Sequence, residues 1–231
     1  MKLISVSQIQ FKYEKEVILK DISVDINSGE FVTLTGPNGS AKSTLLRIIV
    51  GLLKPEEGTV KISKKNERGQ KLIIGYMPQH MSSFNIGFPS TVLELVQSGR
   101  LPHKKWLPSF SKENNEYVKK VLLEVDMWDF RRCKIGELSG GQKQRICIAR
   151  ILASEPDILI LDEPTSAMDF ESRNHFYQLM QYQVEKYGRT VFMVTHDLDE
   201  VKSYANRNLY LTRKEEIQWR CFTLDSCSEH F

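Results

Sequence analysis

The hydrophobic and polar positions of this chain follow two different periods, which divide it into strand-like and helix-like stretches. Residues 2–35 alternate with the period of two that strands show, in LISVSQIQFKY, ILKDISVDI and EFVTLTG, with a turn expected at residues 27–30. GTVKIS and KLIIGYMPQ predict two further short strands. DILILDEP and TVFMVTHD are continuous apolar runs, which are typical of parallel strands buried on both faces.

Apolar residues at helical spacing predict five helices, in STLLRIIVGLL, TVLELVQSG, ENNEYVKKVLLEVDM, GGQKQRICIARILASE and SRNHFYQLMQYQVEKYG, the last ending at Gly188. Alternation of strands and helices around an apolar sheet predicts the α/β class, with a mostly parallel sheet, an antiparallel N-terminal part and a helical subdomain. We expect a single domain over 1–231, with a core of about 1–79 and 156–231 and the helical subdomain at about 80–155.

Composition excludes several classes of protein. Apolar residues make up 41% of the chain and charged residues 26%, as in ordinary globular proteins, and no apolar run approaches the roughly 18–20 residues that cross a bilayer. The N-terminus lacks the pattern of a signal peptide, so a cytosolic location is expected. A net charge of +3 is too small to favour a nucleic-acid partner.

The four cysteines show no paired spacing of the kind that binds a metal ion. In a reducing cytosol we expect free thiols, and an irregular C-terminal tail around the last two. The alternative is a metal site in that tail. The residues concerned are Cys133, Cys147, Cys221 and Cys227, with Asp225 and His230 beside the last pair.

A phosphate-binding loop is predicted at residues 36–44, between the strand FVTLT and a helix. Its glycines and the helix N-terminus would bring backbone N–H groups to phosphate oxygens. Lys42 would reach the β- and γ-phosphates, Ser43 would coordinate Mg²⁺, and Thr44 would contact a phosphate. The nucleotide-binding set is Gly36, Pro37, Asn38, Gly39, Ser40, Ala41, Lys42, Ser43 and Thr44.

Ala41 departs from the usual loop pattern G-x-x-x-x-G-K-[ST], which has glycine before the lysine. A left-handed backbone there would cost alanine on the order of 1 kcal/mol relative to glycine. We therefore expect a negative φ at Ala41, with its methyl group directed away from the phosphates.

The strand ILILDEP ends in Asp162 and Glu163, which places two carboxylates at the carboxyl edge of the sheet, where open α/β sheets bind ligands. Asp162 is the candidate Mg²⁺ ligand, and Glu163 the candidate general base that polarises a water. The alternative role of this pair is to cap a following helix.

The segment LSGGQKQR, residues 138–145, resembles the signature motif of ATP-binding-cassette (ABC) ATPases at every position. Other motifs of that family follow its order: Tyr13 resembles the aromatic that stacks on adenine, Gln79 the glutamine loop, SAMD (residues 166–169) the D-loop, and His196 the switch histidine. The alternatives without a functional role are a core position for Tyr13 or Phe11, a loop position for Gln79 and a buried structural position for His196. The order of the motifs favours the family.

The resemblance implies an ABC-type nucleotide-binding domain with ATP and Mg²⁺ as cofactors. Ser139, Gly140, Gly141 and Gln142 would bind the γ-phosphate of ATP held by a second copy in a head-to-tail dimer. Their place at a helix N-terminus independently predicts an anion site. Gln79 would join Mg²⁺ and the attacking water to a membrane permease, and His196 would orient that water.

The closest resemblance is to the ATPase subunit of zinc-uptake (Adc/Znu-type) ABC importers, with the related manganese importers second. It rests on GPNGSAKST with its alanine, VKISKKNERGQKLIIGYMPQ, SSFNIGFPSTVLELVQSGR, KKW and YANRNLYL…WRCF. It implies a protein on the inner face of the cell membrane, held by an integral permease, with an extracellular metal-binding lipoprotein as indirect partner. Phe84, Phe88, Trp106 and Phe110 would receive a permease helix, or else fill the helical core. Competing hypotheses are a soluble cassette ATPase that remodels a protein or nucleic acid, and a switch without turnover.

Overall fold

The computed structural model describes residues 1–79, 89–100, 112–214 and 218–224, with residues 213–214 and 218–224 described by their backbone only. The strands, in chain order, are β1 (Lys2–Tyr13), β2 (Glu16–Asn27), β3 (Phe31–Thr35), β4 (Glu57–Ile62), β5 (Ile74–Met77), β6 (Ile158–Asp162), β7 (Thr190–Val194), β8 (Arg207–Lys214) and β9 (Gln218–Leu224). The helices are α1 (Lys42–Ile49), α2 (Val92–Ser98), α3 (Lys112–Glu124), α4 (Gly140–Ala153), α5 (Phe170–Tyr187) and α6 (Leu198–Val201), with a 3-10 turn at Ile135–Glu137.

The strands form two sheets. The first is antiparallel, in the order β2-β1-β4, and the second has the order β5-β6-β7-β3-β8-β9. Its first five strands are parallel, and β9 pairs antiparallel with β8. The predicted α/β class is confirmed, with its mostly parallel sheet, antiparallel N-terminal part and helices.

The parallel sheet is buried on both faces, as its continuous apolar runs predict. Successive side chains of a strand point to opposite faces, so β6 supplies two different hydrophobic clusters. Leu159 and Leu161 pack in one cluster with α2, α3, α4 and α5. Ile158 and Ile160 pack in the other with α1 and the antiparallel sheet. The sheet is therefore the shared centre that fixes both layers.

The C-terminal part differs from the sequence-based expectation. We expected an irregular tail around Cys221, but residues 218–224 form β9, which pairs with β8 from Asn208↔Leu224 to Lys214↔Gln218. The expectation was wrong because antiparallel pairing with β8, the strand just before it in sequence, satisfies the backbone of a segment whose own sequence pattern is weak. The metal site considered for this region concerns side chains outside the described residues.

Several local expectations are confirmed. Residues 28–29 form the turn before β3, and Gly188 ends α5 in a left-handed conformation with φ of 64°. Cys133 and Cys147 are thiols outside any disulfide, and burial raises the pKa of the Cys147 thiol to about 12, which keeps it protonated. Within the described ranges, the helices are too short or too polar to cross a bilayer. The division into a core and a helical subdomain stays a prediction.

Candidate functional site

The candidate residues lie at one edge of the parallel sheet, where strands β3, β5, β6 and β7 reach their carboxyl ends. The phosphate loop follows β3, Gln79 follows β5, Asp162 closes β6 with Glu163 directly after it, and His196 follows β7. Parallel strands bring residues that are distant in sequence to the same edge of the sheet. The structure therefore brings together the four segments that the sequence analysis singled out separately.

The phosphate loop is folded around its own lysine. Lys42, at the start of α1, donates through Nζ to the carbonyl oxygens of Gly36 at 2.8 Å and Pro37 at 3.0 Å. Gly36 has φ of 145°, and a Cβ there would lie 2.1 Å from the carbonyl oxygen of Leu211 in β8. Only glycine allows this close approach. Packing against β8 therefore constrains the backbone at the start of the loop.

Ala41 adopts the left-handed conformation, with φ of 64° and ψ of 23°, so the expected negative φ was wrong. The loop turns from β3 into α1 within a few residues, and Gly39 is left-handed as well, with φ of 79°. Left-handed residues alternating with residues of negative φ turn backbone N–H groups to one side, which is the geometry of an anion-binding loop. The strain in Ala41 is offset in part because its methyl group packs against the hydrophobic cluster around α1.

Asp162 and Ser43 form the next layer of the site. The Ser43 hydroxyl donates to Oδ1 of Asp162 at 2.9 Å. Asp162 is 1% exposed, and its Oδ2 is buried without a hydrogen-bond partner in the part of the chain that the structure describes. Burial raises the pKa of Asp162 despite the Ser43 hydrogen bond, whereas burial lowers the pKa of Lys42.

The second carboxylate, Glu163, is held by groups from two other strands. The side chain of Gln79 donates through Nε2 to Oε2 of Glu163 at 2.6 Å. His196 lies with Nδ1 at 4.0 Å from the other oxygen, Oε1. Glu163 has φ of 47°, a conformation that costs energy in non-glycine residues and occurs at functional sites. The backbone is thus strained where the carboxylate is directed toward Gln79 and His196.

The other predicted nucleotide contacts are partly accounted for. The Oγ of Ser40 is buried without a hydrogen-bond partner in the described structure, as expected of a group that awaits a ligand. Pro37, Asn38 and Gly39 are exposed, and Thr44 is half-buried in α1. Tyr13 is 43% exposed at the end of β1 and stacks edge-on against Phe11 at 4.9 Å. Phe11 is the buried residue of that pair, and Tyr13 is the exposed one.

The signature segment begins α4, as its pattern predicts. Ser139 is the N-cap, and its Oγ accepts from the N–H of Gln142 at 3.3 Å while the Gln142 side chain accepts from the N–H of Ser139 at 2.9 Å. This capping box leaves the hydroxyl proton of Ser139 and the N–H groups of Gly140 and Gly141 directed at the end of the helix. These donors lie at the positive end of the helix, an arrangement that favours anions.

The motif order and this geometry agree with the comparisons to known proteins. A family model described as ABC transporter matches residues 19–166. The chain belongs to the ABC transporter family. The matched range contains the phosphate loop, Gln79, the signature segment and both carboxylates.

Among curated ABC transporter proteins, the chain is 54% identical to the high-affinity zinc uptake system ATP-binding protein ZnuC of Bacillus subtilis, over 100% of both chains. It is 50% identical to the zinc transport system ATP-binding protein AdcC of Streptococcus pneumoniae, over 97% of this chain and 96% of that one. The manganese transport system ATP-binding protein MntB of Halalkalibacterium halodurans is 36% identical, over 92% and 84%.

Among solved ABC structures, the chain is similar to a dimeric ATP-binding cassette in a post-hydrolysis state bound to ADP and phosphate. That match has a TM-score of 0.76 and 30% identity, and covers 95% of this chain and 98% of the other. The cassette fold is therefore similar over nearly its whole length.

The sequence analysis gave no role to Gln144 and Arg145, the last two residues of the signature segment. Gln144 donates to the hydroxyl of Ser166 in the D-loop, and Arg145 donates to the hydroxyl of Ser172 just after it. The signal that could have found Gln144 is its position: it lies four residues before Ile148, on the apolar face of α4, where a polar side chain needs a partner. The aromatic residues considered for permease docking, Phe84, Phe88, Trp106 and Phe110, lie outside the described residues.

Proposed function

We propose that this cassette is the ATP-binding and ATP-hydrolysing subunit that powers an importer for a divalent metal ion, zinc. The observation that carries the ATPase part is the Glu163 carboxylate, bonded to Gln79 and placed beside Asp162 at the carboxyl edge of the sheet. The zinc assignment is supported by 54% identity over the full length of a zinc-uptake relative, against 36% for a manganese-transport relative.

The phosphate loop would hold the triphosphate of ATP. Lys42 would exchange its bonds to two loop carbonyls for bonds to phosphate oxygens. Burial lowers the pKa of Lys42, but the nearby carboxylates of Glu163 and Asp162 oppose this shift and favour the charged form. Ser40 and the loop N–H groups supply further donors, and Tyr13 stacks on the adenine ring. The left-handed Ala41 belongs to the N–H arrangement that an anion requires.

The residues present fit a magnesium ion. Asp162 has one oxygen bonded to Ser43 and one buried oxygen without a partner among the described residues, and hard oxygen donors are what Mg²⁺ prefers. Ser43, Asp162 and Gln79 would hold the ion. When bound, Mg²⁺ neutralises charge on the β- and γ-phosphates of the substrate.

Hydrolysis uses Glu163 as general base. Its carboxylate takes a proton from the attacking water while the water oxygen bonds to the γ-phosphorus and ADP leaves. Gln79 orients Glu163 through the 2.6 Å hydrogen bond, and His196, at 4.0 Å, orients the water and the γ-phosphate. The presence of both a candidate base and a switch histidine favours ATP hydrolysis over the competing hypothesis of a nucleotide-binding switch without turnover.

The signature segment would act on a second copy of the chain. Ser139, Gly140, Gly141 and Gln142 offer an anion site, and the cassette already has a phosphate loop of its own. A head-to-tail dimer with two ATP molecules at its interface uses both sites. The dimer would sit on the inner face of the cell membrane through an integral permease, with a metal-binding lipoprotein outside the cell as an indirect partner.

Replacing Glu163 by glutamine tests the enzymatic part. Loss of a general base lowers turnover by about 10²–10⁴-fold, so Glu163→Gln should lose ATPase activity and accumulate as an ATP-bound dimer, measured by phosphate release and light scattering. Glu116→Gln, on the exposed face of α3, is the matched control and should behave as the parent. Hydrolysis by Glu163→Gln at the parent rate would show that another group is the base.

Metal uptake in cells tests the zinc assignment. Cells whose only copy of this chain carries Glu163→Gln should take up labelled zinc more slowly than cells with the parent chain, and labelled manganese at the same rate. Loss of manganese uptake with normal zinc uptake would assign the cassette to a manganese importer. Normal uptake of both would instead favour the soluble remodelling role.

A further inference from the structure

Gln144 is a buried polar side chain that bonds to the D-loop, residues 166–169. It is 1% exposed, its Nε2 donates to the Ser166 hydroxyl at 3.1 Å, and its Oε1 accepts from the N–H of Ala167 at 3.3 Å. A buried amide is costly unless both its donor and its acceptor have partners. The conformation of the D-loop and the rotamer of Gln144 therefore fix each other.

Arg145 holds the far end of the same loop. Its NH2 donates to the Ser172 hydroxyl at 2.7 Å, and that hydroxyl donates to Oδ2 of Asp169 at 3.0 Å. Asp169 in turn caps α5 by accepting from the N–H of Ser172 at 2.8 Å. Two consecutive residues of α4 thus contact the first half of the D-loop directly and its last residue through Ser172.

The first turn of α4 lies directly against this loop. A Cβ on Gly141 would lie 3.3 Å from the carbonyl oxygen of Ala167, which is closer than ordinary contacts. Ser139 and Gly140 at the helix end are exposed, and so are Ser166, Ala167 and Asp169. The signature and the D-loop consequently form one continuous exposed surface, with buried hydrogen bonds behind it.

We infer that Gln144 and Arg145 are positioning residues that hold the D-loop and the signature helix as one rigid unit, so that the cassette presents both to its partner in a fixed relation. This inference rests on the proposed head-to-tail dimer. Donors at the end of α4 must meet a phosphate held by another molecule, and small misplacements of such donors weaken the contact strongly. The two residues act through the loop and the helix and do not themselves touch ATP.

Gln144→Met tests the role, because methionine has a similar length and no polar atoms. In a Glu163→Gln background, which accumulates the ATP-bound dimer, Gln144→Met should raise the ATP concentration needed for half-dimerisation about tenfold or more. The affinity of the single cassette for MgADP should stay within about twofold, since its own phosphate loop is untouched. Gln181→Met, at a half-buried position of α5 whose amide bonds Glu185 at the surface, is the matched control and should change neither quantity.

Ser166→Ala provides a second, independent variant at an exposed position that threatens folding less. It removes the hydroxyl that bonds Gln144 and should also raise the ATP concentration for dimerisation. If the two residues act as a pair, the double variant Gln144→Met/Ser166→Ala should be little worse than Gln144→Met alone. Dimerisation by Ser166→Ala at the parent concentration, or fully multiplicative effects of the two changes, would overturn the inference.

The same assay separates this inference from the proposed function. If the Glu163→Gln parent fails to dimerise with ATP, the head-to-tail dimer is wrong. If the parent dimerises and Gln144→Met dimerises at the same ATP concentration, the dimer stands and the positioning role is wrong. A loss of MgADP affinity in Gln144→Met equal to its loss of dimerisation would mean a general defect, and would also refute the positioning role.

Discussion

Replacing Asp162 by asparagine should make the nucleotide-free protein more stable while removing its response to magnesium. Asp162 is 1% exposed, and one of its oxygens has no hydrogen-bond partner in the described part of the chain. Burial raises its pKa above the ordinary value of 3.8. A carboxyl whose folded-state pKa is raised opposes folding once it ionises, so stability is lost as the pH rises from the unfolded pKa through the folded one.

The size of the gain follows from the unpaired oxygen. An unsatisfied buried polar group costs about 1–3 kcal/mol, and more when it is charged. Asparagine keeps the acceptor for Ser43 but leaves a neutral NH2 group without a partner, which recovers part of that cost. We expect a net gain of about 1 kcal/mol at pH 7, or roughly 2–4 °C in Tm for a domain of this size.

The assay is thermal unfolding at pH 7 with and without ADP, in magnesium and in EDTA. A ligand at 100 times its Kd stabilises by about 2.7 kcal/mol, so MgADP should raise the parent Tm by roughly 5–11 °C. Asp162→Asn should respond equally to ADP in magnesium and in EDTA. A lower Tm for Asp162→Asn than for the parent without nucleotide, or an unchanged magnesium response, would refute the reasoning.

Asp157→Asn is the matched control at the opposite end of β6. Both oxygens of Asp157 have donors, the Asn66 amide at 2.8 Å and the N–H of Ile73 at 2.8 Å. The same substitution there places an NH2 group against a donor, so it should lower the free energy of unfolding by about 1–2 kcal/mol. Its magnesium response should equal that of the parent. The two substitutions should change the free energy of unfolding in opposite directions, and only Asp162→Asn should change the magnesium response. The comparison therefore separates an effect on magnesium binding from an effect on the stability of the strand.

Three further substitutions test the structure at other points. Gly36→Ala should destabilise by about 3 kcal/mol and abolish ADP binding, measured by urea unfolding and titration, because its Cβ would meet the Leu211 carbonyl. Ala41→Gly should leave the free energy of unfolding within about 1 kcal/mol and the ATPase intact, because relief of left-handed strain offsets the added freedom of the unfolded chain; a loss above about 2 kcal/mol would contradict the conformation. Glu200→Gln breaks the paired bonds at 2.8 Å to Arg173 and should cost about 1 kcal/mol, less at high salt, as thermal unfolding would show.

Local sequence patterns were enough for much of the cassette. The apolar runs predicted the buried strands β6 and β7, Ser139 and the glycines after it predicted the start of α4, and Gly188 predicted the end of α5. These features depend on contacts within a few residues, such as caps and turns, or on burial on both faces of a strand. The same patterns placed Asp162 and Glu163 at the carboxyl edge, because a strand followed by polar residues ends where the sheet ends.

The tertiary structure alone decided the rest. Ala41 is left-handed where the loop turns from β3 into α1, and Gly36 at the start of that loop packs against the Leu211 carbonyl of a strand far away in sequence. The hydrogen bonds of Gln144 likewise depend on a loop that lies 22 and 23 residues away in sequence. A residue's own neighbours in sequence set its local preference, but burial and distant partners set the cost of departing from it. The sequence therefore indicated which residues are proposed to carry the chemistry, and the fold decided the conformations in which they are held.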